Sequence, residues 1–392
     1  MAALPTHGRD VRIVNERPFT GSGARFQNGD TLIARITPCL ENGKGAQVKD
    51  LPEGSAGFGS TEFIVVRGKD ERDDDFIYYL SRHEGFRAEA IKRMEGTSGR
   101  QRVSWQQIAS IEVPDLLPEN RREIAAILGA LDDKIEVNRK ASATLEEMAR
   151  ALYRSWFVDF DPVWARLEGR QPAHMDAATA ALFPDSFGDD GLPVGWCAGK
   201  LSDVAVNPRN GVKPEQIHPD TPYIGLEHMP RRSITLPDWG TAADVGSQKS
   251  GMTAGDFLFG KLRPYFHKVG IAPVNGICST DIIVVRPKAP EWAGFVLSMI
   301  STDEFVEHTN AGSSGTRMPR TSWSDMGSYE VTLPSPKIAA AFEQITRPWR
   351  ERIVSSVHES RTLATLRDTL LPRLMSGELR VGEARELVEE VA

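Results

Sequence analysis

Along residues 124–156 one set of positions recurs at alternating spacings of four and three: Ile124, Leu128, Leu131, Ile135, Asn138, Ser142, Leu145, Ala149, Leu152 and Trp156. All but Asn138 and Ser142 are apolar, and a period of 3.5 is the seam of a coiled coil. The stretch starts near Glu119 and is free of proline, which predicts one long helix. A second such stretch starts near Ile338 and carries Pro348. Its seam, 218 positions later, reads Phe342, Thr346, Trp349, Ile353, Ser356, Ser360, Leu363, Arg367, Leu370 and Leu374. About 38 helical residues span about 57 Å, so each helix needs a partner along its length. Packing on its own β-rich unit and pairing with the other helix both satisfy the seam; duplication favours the pair. An antiparallel pair brings Asn138 and Ser142 to Ser356 and Ser360, a polar layer that fixes register.

Ahead of each long helix the pattern changes period. TLIARI (from Thr31) and FLFGKL (from Phe257) are short apolar stretches, and STEFIVV (from Ser60) and STDIIVV (from Ser279) are β-branched runs bounded by polar residues. All read as strands. Residues 74–94 and 292–309 have apolar spacing of helical period. Each unit is therefore α+β.

The two units are copies. NGDTLIARITP resembles AGDFLFGKLRP, with Gly29 and Gly255 separated by 226 positions; GTSGRQRVSW resembles GSSGTRMPRTSW, with Trp105 and Trp323 separated by 218. IEVPDLLP then parallels YEVTLPSP. A solenoid or propeller repeats every 20 to 50 residues or so, which makes this the duplication of a whole domain. The copies are unequal: the second opens with LPVGWCAGKLSDVAVNPRNGVKPEQIHPDTPYIGLEHM, the first with only MAALPTHGRDVRIVNERPFTGSGARFQ. The first is expected to lack an opening strand and loop, and a missing strand leaves an open edge.

At 392 residues, 40% hydrophobic and 26% charged, the chain can fill more than one core. A net charge of −7 excludes a uniformly basic DNA-binding module, so any DNA face must be local. MAALPTHGRD has no basic segment leading into an apolar one, and no run of about 18 apolar residues follows, so the expected location is the cytoplasm, with no membrane contact. Cys39, Cys197 and Cys278 are too scattered for a disulfide framework or a zinc site.

The order of β-rich unit, long helix, connector, second β-rich unit beginning with LPVGW and second long helix resembles the specificity subunits of type I restriction-modification systems. GDFLFGKLRP, the two glycine-rich segments, the P-x-x-x-P element closing each copy and LRDTLLPRLMSGEL carry the resemblance. It implies an α+β fold with two target recognition domains related by a pseudo-two-fold repeat and joined by an antiparallel coiled coil. The domains implied are a first recognition domain at 1–118, a long helix at 119–160, a connector at 161–190, a second recognition domain at 191–336, a long helix at 337–377 and a tail at 378–392. The partners implied are double-stranded DNA with a bipartite asymmetric site, two modification subunits and restriction subunits. Adenine-N6 methylation with S-adenosylmethionine, and translocation and cleavage with ATP and Mg, belong to those partners, so this chain carries no cofactor of its own. The other readings are a coiled-coil scaffold that binds no DNA and a free-standing methyltransferase or nuclease.

Motifs for intrinsic catalysis are weak. Gly255–Leu262 has the spacing of a phosphate loop, but Leu262 stands where the magnesium-binding hydroxyl belongs. Asp161-Pro162-Val163-Trp164 lacks the second proline of an adenine methyltransferase motif, and the acidic run Asp70 to Asp75 reads as a helix N-terminus. No residue is assigned as catalytic or metal-binding. DNA contact needs cations for phosphates and donors or acceptors for base edges. The candidates are Arg35, Lys44, Arg100 and Arg102 in the first copy. In the second they are Lys261, Arg263, Tyr265, His267, Lys268, Ser313, Ser314, Arg317 and Arg320.

Overall fold

The computed structural model describes residues 3–6, 8–11, 21–97, 99–313, 315 and 318–390. It divides into two compact units, Met1–Val137 with Thr362–Ala392, and Asn138–Arg361. Two helices of 40 residues, Pro118–Phe157 and Pro336–Met375, each contribute one end to each unit. Both begin on proline, which costs nothing at a first helical position because its missing N–H has no partner there.

In the first unit the helix halves share one core, in which Ile124, Leu128, Leu131, Leu363, Leu370 and Leu374 are buried and Ile135 packs alongside. Phe76, Tyr78 and Tyr79 from the helix Asp74–Arg82 complete it. One seam position is charged: the Arg367 guanidinium donates to Asp132 Oδ1 at 2.5 Å, and the Tyr79 hydroxyl donates to Asp132 Oδ2 at 2.8 Å. Burial works most strongly against the charge on Arg367, but the carboxylates of Asp132 and Asp368 together outweigh it and hold the arginine above its ordinary value. The acidic run does more than start a helix. Asp73 and Asp70 pair with Arg121 and Arg122 in the opening turn of the long helix, at 2.7 to 3.3 Å.

In the second unit the helices run antiparallel, Asn138 Nδ2 meeting Ser360 Oγ at 3.4 Å while Tyr153 and Trp156 pack on Phe342. Ile353 and Ser356 are buried there; Leu145, Leu152 and Trp349 are half-buried. Buried Glu146 accepts from the Ser233 hydroxyl at 2.8 Å and from the backbone N–H groups of Ile234 and Thr235 at 3.1 and 3.0 Å. A carboxylate satisfied by several donors ties the strand-rich part of this unit to its helix.

The duplication is visible in atomic detail. Phe257–Gly260 pairs antiparallel with Ile282–Pro287 and Val269–Ile271, as Thr31–Ala34 pairs with Phe63–Val66 and Gly45–Gln47. Arg286 grips buried Asp256 through two bonds of 2.7 Å, and Arg67 grips buried Asp30 at 2.6 and 2.9 Å. Each aspartate also accepts a backbone N–H three residues upstream at 2.8 Å. Gly29 and Gly255 turn into these strands with φ of 90° and 89°, a conformation glycine adopts without strain.

The copies diverge where the opening segment differs. The second has a four-stranded sheet whose last member is Ala205–Val206, and a five-stranded sheet that includes Gly211–Val212 and Pro222–Ile224. Among the described residues the first has a three-stranded sheet and the two-stranded pair Ala24–Phe26 with Gly57–Gly59. Other elements depart from the sequence pattern. The stretch 74–94 breaks at His83, whose ψ of 130° is extended, and 292–309 breaks at Thr302, whose hydroxyl caps Asp303–Ala311. The connector holds the helix Asp161–Leu167, and residues 378–392 hold the helix Val381–Glu389, with Ala384 buried.

Candidate nucleic-acid interface

A cluster of cationic and aromatic groups lies in the second copy, on the loop between Phe257–Gly260 and Val269–Ile271. Arg263 and His267 both take left-handed φ of 51° around the turn Pro264–Phe266. The Arg263 N–H donates to the Pro319 carbonyl at 2.8 Å and the Thr321 N–H to the Lys261 carbonyl at 3.1 Å, which binds this loop to the glycine-rich one. Tyr265, 51% exposed, stands edge-on against Phe266 with ring centres 4.8 Å apart. The guanidinium of exposed Arg231 lies 3.9 Å from the centre of the Phe266 ring, and that of Arg263 5.9 Å away. Planar guanidinium groups held on aromatic faces are pre-organised for base edges or phosphates.

Not every candidate faces outward. His267 is buried, its Nε2 3.0 Å from the Ser301 carbonyl and its Nδ1 3.2 Å from Asp303, and burial pulls its pKa below the usual imidazole value. The left-handed backbone at 267 turns the imidazole inward, so it is a packing residue of the loop. Lys268 is half-buried, donates to the Leu226 carbonyl and has its pKa lowered by burial. Arg320 pairs with Asp281 at 3.1 Å, and its repeat counterpart Arg102 is bidentate on Glu62, Nη2 donating to Oε1 at 2.8 Å and Nε to Oε2 at 3.0 Å. These two arginines hold the base of each glycine-rich loop. The Ser313 hydroxyl donates to the Asn310 carbonyl at 2.7 Å; Ser314 and Arg317 lie outside the described residues.

In the first copy the loop matching Arg-Pro-Tyr-Phe-His-Lys reads Thr37-Pro38-Cys39-Leu40-Glu41-Asn42, without ring or cation. Arg35 and Lys44 flank it, both half-buried, and Arg100 is exposed on the glycine-rich segment. Sequence reasoning missed Arg231 and Phe266. Arg231 sits some 30 residues from the loop it serves, and only the fold brings them together. Among the described residues no group of three His, Cys, Asp or Glu side chains can hold a metal ion, and no helix is long and apolar enough to cross a membrane.

Two unequal copies of an α+β recognition unit, built on paired forty-residue helices and differing in loop chemistry at equivalent positions, define a bipartite recognition scaffold. By sequence the chain is a homologue of the specificity subunits of type I restriction enzymes. It is 24% identical over 344 residues to the type I restriction enzyme MjaIX specificity subunit of Methanocaldococcus jannaschii, covering 82% of this chain and 72% of that one. It is 26% identical over 428 aligned positions to the HindI specificity subunit of Haemophilus influenzae, covering 94% and 90%. Among solved structures, the S subunit of a type I restriction-modification system from M. genitalium aligns with 95% of this chain and 90% of that chain, at 15% identity and a TM-score of 0.47. The HsdS subunit of Thermoanaerobacter tengcongensis aligns with 96% and 89%, at 17% identity and a TM-score of 0.32. No protein-family profile matches the chain.

Proposed function

We propose that this chain is the DNA sequence-recognition subunit of a type I restriction-modification complex. Each copy reads one half of a bipartite, asymmetric site in double-stranded DNA. The paired helices hold two modification subunits, which methylate adenine N6 with S-adenosylmethionine, and restriction subunits that use ATP and Mg. The chain itself supplies the address and no chemistry, and it works in the cytoplasm. The observation that carries this reading is the duplication with divergent loops: Arg231, Arg263, Tyr265 and Lys261 in one copy stand against Arg35, Lys44 and Arg100 around a turn without cation or aromatic ring in the other. Identical half-sites would call for identical loops.

Co-expression with the modification subunits, followed by mapping of N6-methyladenine across the host genome, tests it. One bipartite motif with dissimilar halves is expected. An assembled complex that methylates without sequence preference would overturn the reading.

A further inference from the structure

In the second copy the strand Cys197–Lys200 pairs antiparallel with Glu330–Leu333, and the turn of helix Leu201–Val204 that follows sinks Leu201, Val204 and Ala205 into the core. This segment also caps the neighbouring sheet, because Ala205–Val206 pairs with the end of Ile282–Pro287. Ser202 lies over the helix Trp323–Gly327, so close that a methyl group on Gly327 would stand 3.3 Å from its Cβ.

The first copy repeats the receiving surface. The helix Trp105–Ala109 has the same serine cap and capping box as Trp323–Gly327. Its residues 112–115 match the strand Glu330–Leu333 but form no strand, and Val113, counterpart of Val331, is 46% exposed. Trp105 is 63% exposed, whereas Trp323 packs against the core. Phe86 and Val66 are half-buried, whereas their counterparts Phe305 and Val285 are fully buried. Phe63–Val66 also stops short of the two residues by which Ile282–Pro287 pairs with Ala205–Val206.

We infer that Trp105, Val113, Val66 and Phe86 form an open docking surface whose occupant is a strand followed by one helical turn, with the chemistry of Cys197–Val204. The strand register agrees. The Leu201 N–H donates to the Tyr329 carbonyl at 3.0 Å, and antiparallel bonding alternates, so residues 331 and 333 point their N–H groups at the partner while 332 points away. In the first copy the 332 position is Pro114, which has no N–H to offer, and Val113 and Asp115 supply the donors. A proline is tolerated in a strand at such a position.

The test joins a second copy of residues 193–226 ahead of Met1 of the full chain and follows amide hydrogen exchange. Exchange at Val113 and Asp115 is expected to slow at least tenfold, with a rise in unfolding temperature. Both effects should vanish when the joined segment carries Leu201→Asp and Val204→Asp. A free peptide of residues 194–208, titrated into the unmodified chain, should protect the same two amides. If neither the joined segment nor the peptide protects them, the inference falls. It falls equally if light scattering shows the unmodified chain to be a dimer in which those amides are already protected, because a second copy is then the occupant.

Discussion

His267 shows how a single residue can belong to a basic loop by sequence and to the core by structure. Among Lys261, Arg263, Tyr265 and Lys268 it reads as another DNA contact. Neither the left-handed backbone at 267 nor the proximity of Ser301 and Asp303 leaves a trace in composition or spacing. Arg102 and Arg320 read as DNA contacts for the same reason, since their carboxylate partners lie 40 and 39 residues away in sequence. Burial lowers the folded-state pKa of His267 below the ordinary 6.5, with the Ser301 carbonyl and Asp303 opposing only in part. The unfolded chain then binds the proton first on acidification, so the contribution of His267 to stability is complete above about pH 6.5 and lost as pH falls toward the lowered value. Urea unfolding at pH 7.5 and 5.5 should show the wild type losing more stability on acidification than His267→Gln, which keeps a donor near the Ser301 carbonyl. Equal losses in the two proteins would mean that the imidazole is not buried as described.

The long helices were the most legible elements, because a seam of period 3.5 over forty residues leaves little competing structure. What periodicity could not supply was the reason for Arg367 at a seam position. Its partner Asp132 is 235 residues away, and only antiparallel pairing brings them within 2.5 Å. Both are buried, and Tyr79 closes the group, its pKa raised by burial and by the nearby Asp132 charge. Removing Asp132 leaves the buried Arg367 with only the exposed carboxylate of Asp368, 2.7 Å away, as a counter-charge. Asp132→Ala is therefore expected to cost about 3–5 kcal/mol in urea unfolding, and adding Arg367→Leu to that variant should recover a large part of it. A single variant within 1 kcal/mol or so of wild type would show that water reaches Arg367. Shorter elements were harder to read. The strand-like IEVP at 111–114 forms no strand although YEVT at 329–332 does over Glu330–Leu333, because a strand needs a partner and pattern alone provides none.

On the scale of the whole chain the duplication was legible because turns and caps repeat: Gly29 with Gly255, Ser104 with Ser322, and the Asp–Arg grips within each copy. These residues build the scaffold and so keep their chemistry. The loops between them differ, and their geometry depends on contacts such as Arg231 with Phe266 that join separate segments. If each copy reads its own half-site, damage to one loop must leave the other half of the motif intact. Arg231→Ala with Tyr265→Ala, in a complex with the modification subunits, should cut discrimination at one half-site about tenfold to a hundredfold, the equivalent of one or two lost base contacts at about 1–3 kcal/mol each. Methylation mapping should then return a motif degenerate in one half and unchanged in the other. Loss limited to phosphate contact would instead weaken binding to all sequences alike and flatten its salt dependence, a pattern that would move these side chains from base reading to backbone positioning. Degeneracy in both halves would contradict independent readers, because a loop in one copy would then set the specificity of the other.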